Sequence, residues 1–315
     1  MTVRSLDILD LPFLARYRQD VLSLDSARML TRGNPIGAMA LLSYLNPSRQ
    51  LYTAVSTENG DSLMGQVILK NDEPSARLTF LAPAEKLNGL TLPLLDHLTR
   101  QAGEWGALHI LAEVDEDSPA FKFLRKAGFA MYAWQRAWKL PRWKRKIEQS
   151  PWREAEEFDW PAVQSLYGQI VPALLQPIEN LPKEASGLVC RPEGNLQAYL
   201  AVDSGTRGVW LQPLVPPDSA CAAEQLTAIM GIIAGAQRLP IYMCVRSYQA
   251  WLESALEELG AEAGARQAIM VKRLAMVIKE TQAVPVLEKA LVKAKPAAPV
   301  SRIVKSPGPD AGRDG

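Results

Sequence analysis

The side chains able to move a proton or attack a carbonyl are few and scattered. His97 stands three places after Leu94 in a helix-patterned run, and His109 sits inside an apolar, strand-like run. Both read as structural histidines. Cys190, Cys221 and Cys244 lie far apart, a spacing that draws neither a disulfide framework nor a Cys-x-x-Cys metal knuckle. They read as small buried hydrophobes. No group of Cys, His and Asp has metal-ligand spacing, and neither a Gly-x-Ser-x-Gly elbow nor a Walker loop occurs. Carboxylates remain. Glu113 and Asp115 flank Val114 at the end of a strand-like run, so their side chains share one side of it. A carboxylate there could take a proton from a nucleophile. Glu73 and Glu85 are further candidates for that role.

The elements that would position these groups follow from hydrophobic period and turn chemistry. A short strand over 2–6 precedes helices over 9–22 and 36–45. Strands over 51–55 and 64–69 are joined through Asn59-Gly60, a tight-turn dipeptide, and a third strand covers 76–81. Leu90, Leu94, Leu95 and Leu98 line one face of a helix over 90–102. A strand over 108–114, a helix over 119–127 and a strand over 129–140 complete the series. A similar series follows: a helix over 159–174, strands over 187–190, 196–202 and 208–214, a helix over 220–236, a strand over 241–245, a helix over 250–259 and a strand over 268–274.

Two signatures recur between the halves. Asp10-Leu11-Pro12 and Asp159-Trp160-Pro161 each open a helix, with Asp as N-cap and proline in the first turn, where no helical bond is lost. The helices ending at Gly128 and Gly260 each close on the residue that takes a left-handed C-cap at least cost. Two copies of one architecture are expected, over 1–140 and 152–278. Between them, 141–151 is a charged, proline-bounded linker, in which Arg142, Lys144, Arg145 and Lys146 surround Trp143. From Lys279 the chain turns poor in apolar periodicity and rich in Pro and Gly, so 279–315 is expected to be a disordered tail.

Composition is that of an ordinary globular protein: 315 residues, 48% hydrophobic and 22% charged. Lys and Arg total 35 against 34 Asp and Glu, a net charge of +1, which gives no global electrostatic footprint for nucleic acid. No apolar run reaches the roughly 18 residues of a membrane helix, and the first residues lack the pattern of a secretory signal. A reducing, cytoplasmic setting is expected, with no nucleic-acid or membrane partner.

The element order resembles the GNAT N-acetyltransferase superfamily, most sharply over 81–129. That family carries an Arg/Gln-x-x-Gly-x-Gly/Ala loop between its fourth strand and a long helix, where free N–H groups and the helix start cradle the pyrophosphate of acetyl-CoA. The matching residues are Lys86, Leu87, Asn88, Gly89, Leu90 and Thr91. Gly89 matches fully, Lys86 keeps a donor in place of Arg/Gln, and Thr91 replaces the last small residue. The family's Asn-x-x-Ala segment appears as Asp117-Ser118-Pro119-Ala120, and its closing Gly-Phe as Gly128-Phe129. Leu124 stands where the family places a tyrosine as general acid, and leucine has no proton to donate. Tyr132 is the nearest phenol in sequence.

The resemblance implies an α/β fold with a mixed sheet and two acyl-CoA N-acyltransferase-like domains in tandem. It implies acetyl-CoA as cosubstrate and an amine, small or peptide-borne, as acceptor. Leu81 and Ala82 would supply the oxyanion N–H groups, and Asp117 and Ala120 would complete the cofactor contacts. Catalytic candidates are Glu113, Asp115 and Tyr132. The second copy's loop, 215–222, has no glycine and two prolines, and proline removes donors a pyrophosphate needs, so that copy reads as a degenerate, non-binding partner. Two functions stand side by side: an N-acetyltransferase, and an inactive GNAT-fold module that binds acyl-CoA or a protein.

Overall fold

The computed structural model describes residues 2–6, 16–36, 49–71, 73–142, 150–179, 181, 187–217, 229 and 239–274. The first half of the helix expected over 9–22, the helices over 36–45 and 220–236, Trp143 with its basic neighbours Lys144, Arg145 and Lys146, Cys221 and the tail from Lys279 lie wholly or largely outside these residues.

The first copy runs β1 (Thr2–Ser5), β2 (Leu22–Ser23), α1 (Ser26–Arg32), β3 (Arg49–Glu58), β4 (Asp61–Lys70), β5 (Ser75–Ala82), α2 (Thr91–Glu104), β6 (His109–Asp115), α3 (Pro119–Lys126) and β7 (Ala130–Lys139). The second runs β8 (Trp152–Glu154), α4 (Trp160–Ile170), β9 (Gly187–Cys190), β10 (Ala198–Ser204), β11 (Val209–Leu214), β12 (Ile241–Arg246), α5 (Trp251–Glu258) and β13 (Glu262–Arg273). Among the described residues the expected order is found, with β2, α1 and β8 added, but the helix expected over 9–22 does not continue past Arg16: residues 17–20 turn and Leu22 opens β2. Helix α4 stops at Ile170 rather than 174, because Pro172 cannot continue it. Strand β13 begins six residues before the expected 268.

Local chemistry explains the turns. Asn59 and Gly60 both have positive φ, at 50° and 87°, the requirement of a type I′ hairpin turn. Gly128 and Gly260 take φ of 88° and 73°, and the residue after each glycine donates its N–H back into its helix, Phe129 to Leu124 and Ala261 to Leu256. Asp159 departs from the expected role. Its carboxylate does not cap α4; it is held instead by Arg153, by Arg191 and by the Glu156 N–H.

The strands of the described residues join one thirteen-stranded sheet, in the order β1-β3-β4-β5-β6-β13-β7-β12-β11-β10-β9-β8, with β2 added on β5. The pairs β5–β6 and β11–β12 are parallel and every other pair is antiparallel. The order reads the same from both ends, with β7 and β13 at the centre. The last strand of each copy beds against the other copy: β13 pairs with β6, and β7 pairs with β12. On one face, α2 and α3 bury Leu94, Leu95, Leu98 and Leu124 against Ile110, Ala112, Val114, Ala268 and Met270. Strand β13 thus completes the first core. Trp138 of β7 in turn packs with Leu252 and Leu256 of α5 in the second core. Trp134, on the same side of β7 by parity, packs against the first core.

Candidate active site

Strands β5 and β6 pair in parallel only at Ser75↔His109, Ala76↔Ile110 and Arg77↔Leu111. Beyond Arg77 they part. Parted strands leave inward-facing N–H and C=O groups that must find partners. The chain supplies them from its own residues 20–26. Leu22 pairs with Leu81 and Ser23 with Phe80. The Leu24 N–H donates to the Thr79 carbonyl at 2.9 Å, and the Glu113 N–H donates to the Leu24 carbonyl at 2.9 Å. One short segment therefore bridges the two parted strands. Leu24 is 1% exposed. The Ala84 N–H donates to both the carbonyl and the carboxylate of Asp20.

The local sequence suits this insertion. Leu22 and Leu24 alternate around Ser23 in extended backbone, and Asp25 caps α1 by accepting from the Arg28 N–H at 3.0 Å. Ser26 anchors the turn. Its N–H donates to Glu113 Oε2 at 2.9 Å and its hydroxyl to Gln267 Oε1 at 2.7 Å. Arg77 lies 3.5 Å from the other Glu113 oxygen. Burial raises the Asp25 carboxyl above its ordinary value, Arg77 opposes the rise and the Glu113 charge adds to it.

The expected pyrophosphate loop follows β5. Leu81, Ala82 and the run from Lys86 to Thr91 come together between the end of β5 and the start of α2. Several amides of the loop are already taken. Asn88 N–H donates to Thr91 Oγ1, Leu90 N–H to Asn88 Oδ1 and Thr91 N–H to the Asn88 carbonyl. Leu90, at the N-cap of α2, has no side-chain acceptor; the Thr91 N–H is taken and Pro93 has no N–H, which leaves the Leu92 N–H as the first turn's donor without a side-chain cap. Lys86 is engaged with Asp61 at the start of β4 at 2.9 Å. Ser118, not Asp117, caps α3 through the Ala120 N–H. Asp117 lines a surface groove of about 450 Å³ with Lys122 and Lys126, while Ala120 is buried in the core.

The acid–base candidates separate. Glu113 is buried beside Ser26, whereas Asp115 lies at the exposed end of β6 and accepts from Gln267 Nε2 at 2.8 Å. Tyr132 donates to Glu179 Oε1 at 3.2 Å. Burial, and then the Glu179 charge, push its phenol far up, so it holds its proton. Glu179 also pairs with the buried Arg246 at 3.4 Å. Glu73 pairs with Lys70, and His97 bonds Tyr52.

The second copy repeats the parting. Strands β11 and β12 pair at Val209↔Ile241, Trp210↔Tyr242 and Leu211↔Met243. Beyond them the buried Gln249 bridges the freed backbone of the segment. Its Nε2 donates to the Pro213 carbonyl at 2.9 Å, and its Oε1 accepts from the Val215 N–H at 3.2 Å. Sequence reasoning passed over Leu22–Asp25 and Gln249. The alternation of Leu22 and Leu24 before an Asp25-Ser26 cap was the only available signal for the first, and nothing local marked the second.

No family model matches the chain, and no curated protein matches it in sequence. Solved structures do match in fold. A GCN5-related N-acetyltransferase from Sphaerobacter thermophilus aligns over 86% of this chain and 95% of its own, at 12% identity and a TM-score of 0.55. A tandem GNAT protein from the clavulanic acid biosynthesis pathway aligns over 86% of this chain and 98% of its own, at 14% identity and a TM-score of 0.51. With its paired parallel strands that part in each half, the chain has the fold of the GCN5-related N-acetyltransferases.

Proposed function

We propose that the chain is an acyl-CoA-dependent N-acyltransferase that moves an acetyl group from acetyl-CoA to an amine. The observation that carries this reading is the parting of β5 from β6 beyond Arg77, above a loop that leads into α2. The Gly89 loop would hold the pyrophosphate, with Leu81 and Ala82 facing the thioester and Glu113 or Asp115 receiving the amine proton. The donor this loop offers an anion at the start of α2 is the Leu92 N–H, since the Asn88, Leu90 and Thr91 amides are engaged and Pro93 has none. The slot between the strands does not accept a pantetheine arm while residues 22–24 occupy it, so no catalytic step is assigned to the arrangement as it stands. That occupancy favours a second reading, a GNAT-fold module without turnover.

Titration calorimetry with acetyl-CoA, followed by thiol release across a panel of amines, separates the two. Binding with turnover supports the transferase, and binding without turnover supports the module. Absence of binding at millimolar acetyl-CoA refutes both acyl-CoA readings. Gly89→Glu is expected to abolish binding, and a change at Asp218, in the second copy's glycine-free loop over 215–222, to leave it intact. Unchanged affinity in Gly89→Glu would refute the placement of the loop.

A further inference from the structure

We propose that residues 20–32 are a plug for the first copy's acyl-donor slot, and that the second copy's β10–β11 hairpin clamps the plug in place. Entry of acyl-CoA is then governed by the contact between the two copies. The proposal rests on the acyl-CoA reading above and adds its regulation.

The plug has two ends with different partners. Its first end, Leu22–Leu24, occupies the gap between β5 and β6 and engages the β5 backbone groups that face it, so an acyl-donor arm entering the gap must displace it. Plug and ligand therefore exclude each other. Its second end is α1, and α1 meets the turn between β10 and β11. The Arg207 N–H donates to the Thr31 carbonyl at 2.8 Å. Arg32 makes a two-pronged ion pair with Asp203, at 2.8 and 3.0 Å. The turn approaches α1 closely enough to require glycine. A Cβ on Gly205 would lie 2.2 Å from the Thr31 carbonyl oxygen, and one on Gly208 would lie 2.7 Å from the Leu30 carbonyl oxygen.

The coupling is mechanical. Only Asp25 separates the inserted segment from α1, so the segment cannot leave the slot without moving the start of the helix. Ser26 ties that start to Glu113 of β6 and to Gln267 of β13. A ligand that needs the open slot binds with its intrinsic affinity reduced by the fraction of molecules in which the plug is out. Loosening the clamp raises that fraction and, by linkage, raises the apparent affinity by the same factor.

The test uses the full chain and two variants. Gly205→Ala forces backbone apart at the clamp, and Asp203→Ala removes the ion pair. Hydrogen exchange is followed at the Leu24 and Glu113 amides, with Val67 in β4 as a control, and acetyl-CoA affinity is measured by calorimetry. Exchange at Leu24 and Glu113 is expected to speed up about tenfold or more in Gly205→Ala, as overpacking in tight contacts does. In Asp203→Ala the expected increase is about two- to fivefold, the span for an exposed ion pair. Acetyl-CoA affinity should rise by the same factors, with Val67 unchanged. Should Gly205→Ala fail to fold, Asp203→Ala carries the test. Unchanged exchange at Leu24 and Glu113, or an equal rise at Val67, would overturn the clamp even if acetyl-CoA binds. Faster local exchange with acetyl-CoA bound equally well by every form would overturn the competition. Faster exchange with no acetyl-CoA binding by any form would overturn the acyl-CoA reading, and the gate with it.

Discussion

Separating the chain into residues 1–140 and 152–278 should leave the first piece unable to fold alone. In the intact protein β6 and β7 do not pair with each other; β13 lies between them. Strand β13 brings Ile269, Met270 and Val271 to the sheet, at 1%, 0% and 7% exposure. Full burial of a large apolar side chain contributes roughly 1.5–3 kcal/mol, so the piece forfeits about 5–9 kcal/mol as an upper estimate. It also forfeits the ladder bonds on two strand edges. A domain's entire stability is about 5–15 kcal/mol, so little remains. The assay is urea unfolding of each piece and of their mixture, followed by far-ultraviolet circular dichroism and tryptophan fluorescence. Residues 1–140 alone should show no cooperative transition, and the mixture should recover one as a complex. The intact chain should unfold with both signals coincident. The competing possibility is that β7 closes directly onto β6. A cooperative transition for 1–140 alone, at the intact chain's midpoint, would refute the reasoning from strand exchange.

Other outcomes follow from single side chains. Asp159→Asn should cost about 1.5–3 kcal/mol, since a charged acceptor for Arg153, Arg191 and the Glu156 N–H is lost. The Arg153 hydrogen bonds hold the Asp159 carboxyl below its ordinary 3.8, so its contribution is complete above that value and disappears as pH falls through the folded-state value. Urea midpoints of the two forms should therefore converge in acid, and a gap that widens there would contradict the assignment. Gln249→Leu should destabilise by roughly 1–3 kcal/mol, by leaving the Pro213 carbonyl and the Val215 N–H without the carboxamide; a thermal midpoint equal to wild type would show the bridge to be dispensable. Cys190 and Cys244 are buried, and burial pushes the Cys244 thiol up to about 12, so thiol reagents should label them only on unfolding. Mass-spectrometric detection of native-state labelling at Cys244 would count against its burial.

Much of the fold was legible because its signals are local. Asn59-Gly60 specified its hairpin turn, Gly128 and Gly260 their helix ends, and the leucines from Leu90 to Leu98 the buried face of α2. The doubling was legible for the same reason, since a glycine-closed helix leading into a strand leaves the same trace twice. The exchange of β7 and β13 left none. A strand's sequence states which face is buried, by its period of two, but not which strand lies beside it. Trp134 and Trp138 share one side of β7 by parity, yet they serve two different cores. Asp159 was misread for a related reason. An aspartate before a helix is a sound cap locally, and only the fold brings Arg153 and Arg191 to its oxygens.

The slot sets a sharper limit on what a motif can state. The loop from Lys86 to Thr91 names where donors could face a phosphate, and its own sequence also hints at their self-satisfaction. Asn and Thr are the side chains that compete for nearby backbone amides, and Asn88 and Thr91 do so here. What fills the space between parted strands is a different kind of fact, since any extended segment with suitable alternation can satisfy their free edges. Residues 22–24 do this with main chain, and Gln249 does it with one carboxamide. The two closures differ in how they can open. A side chain leaves by rotating about its own bonds and forfeits two hydrogen bonds. The main-chain segment cannot leave without moving α1, which the second copy holds. With the plug in place, the opening of the first slot is decided at Leu22–Leu24 and α1, more than fifty residues before Gly89 in sequence, and at Asp203 and Gly205, more than a hundred after it.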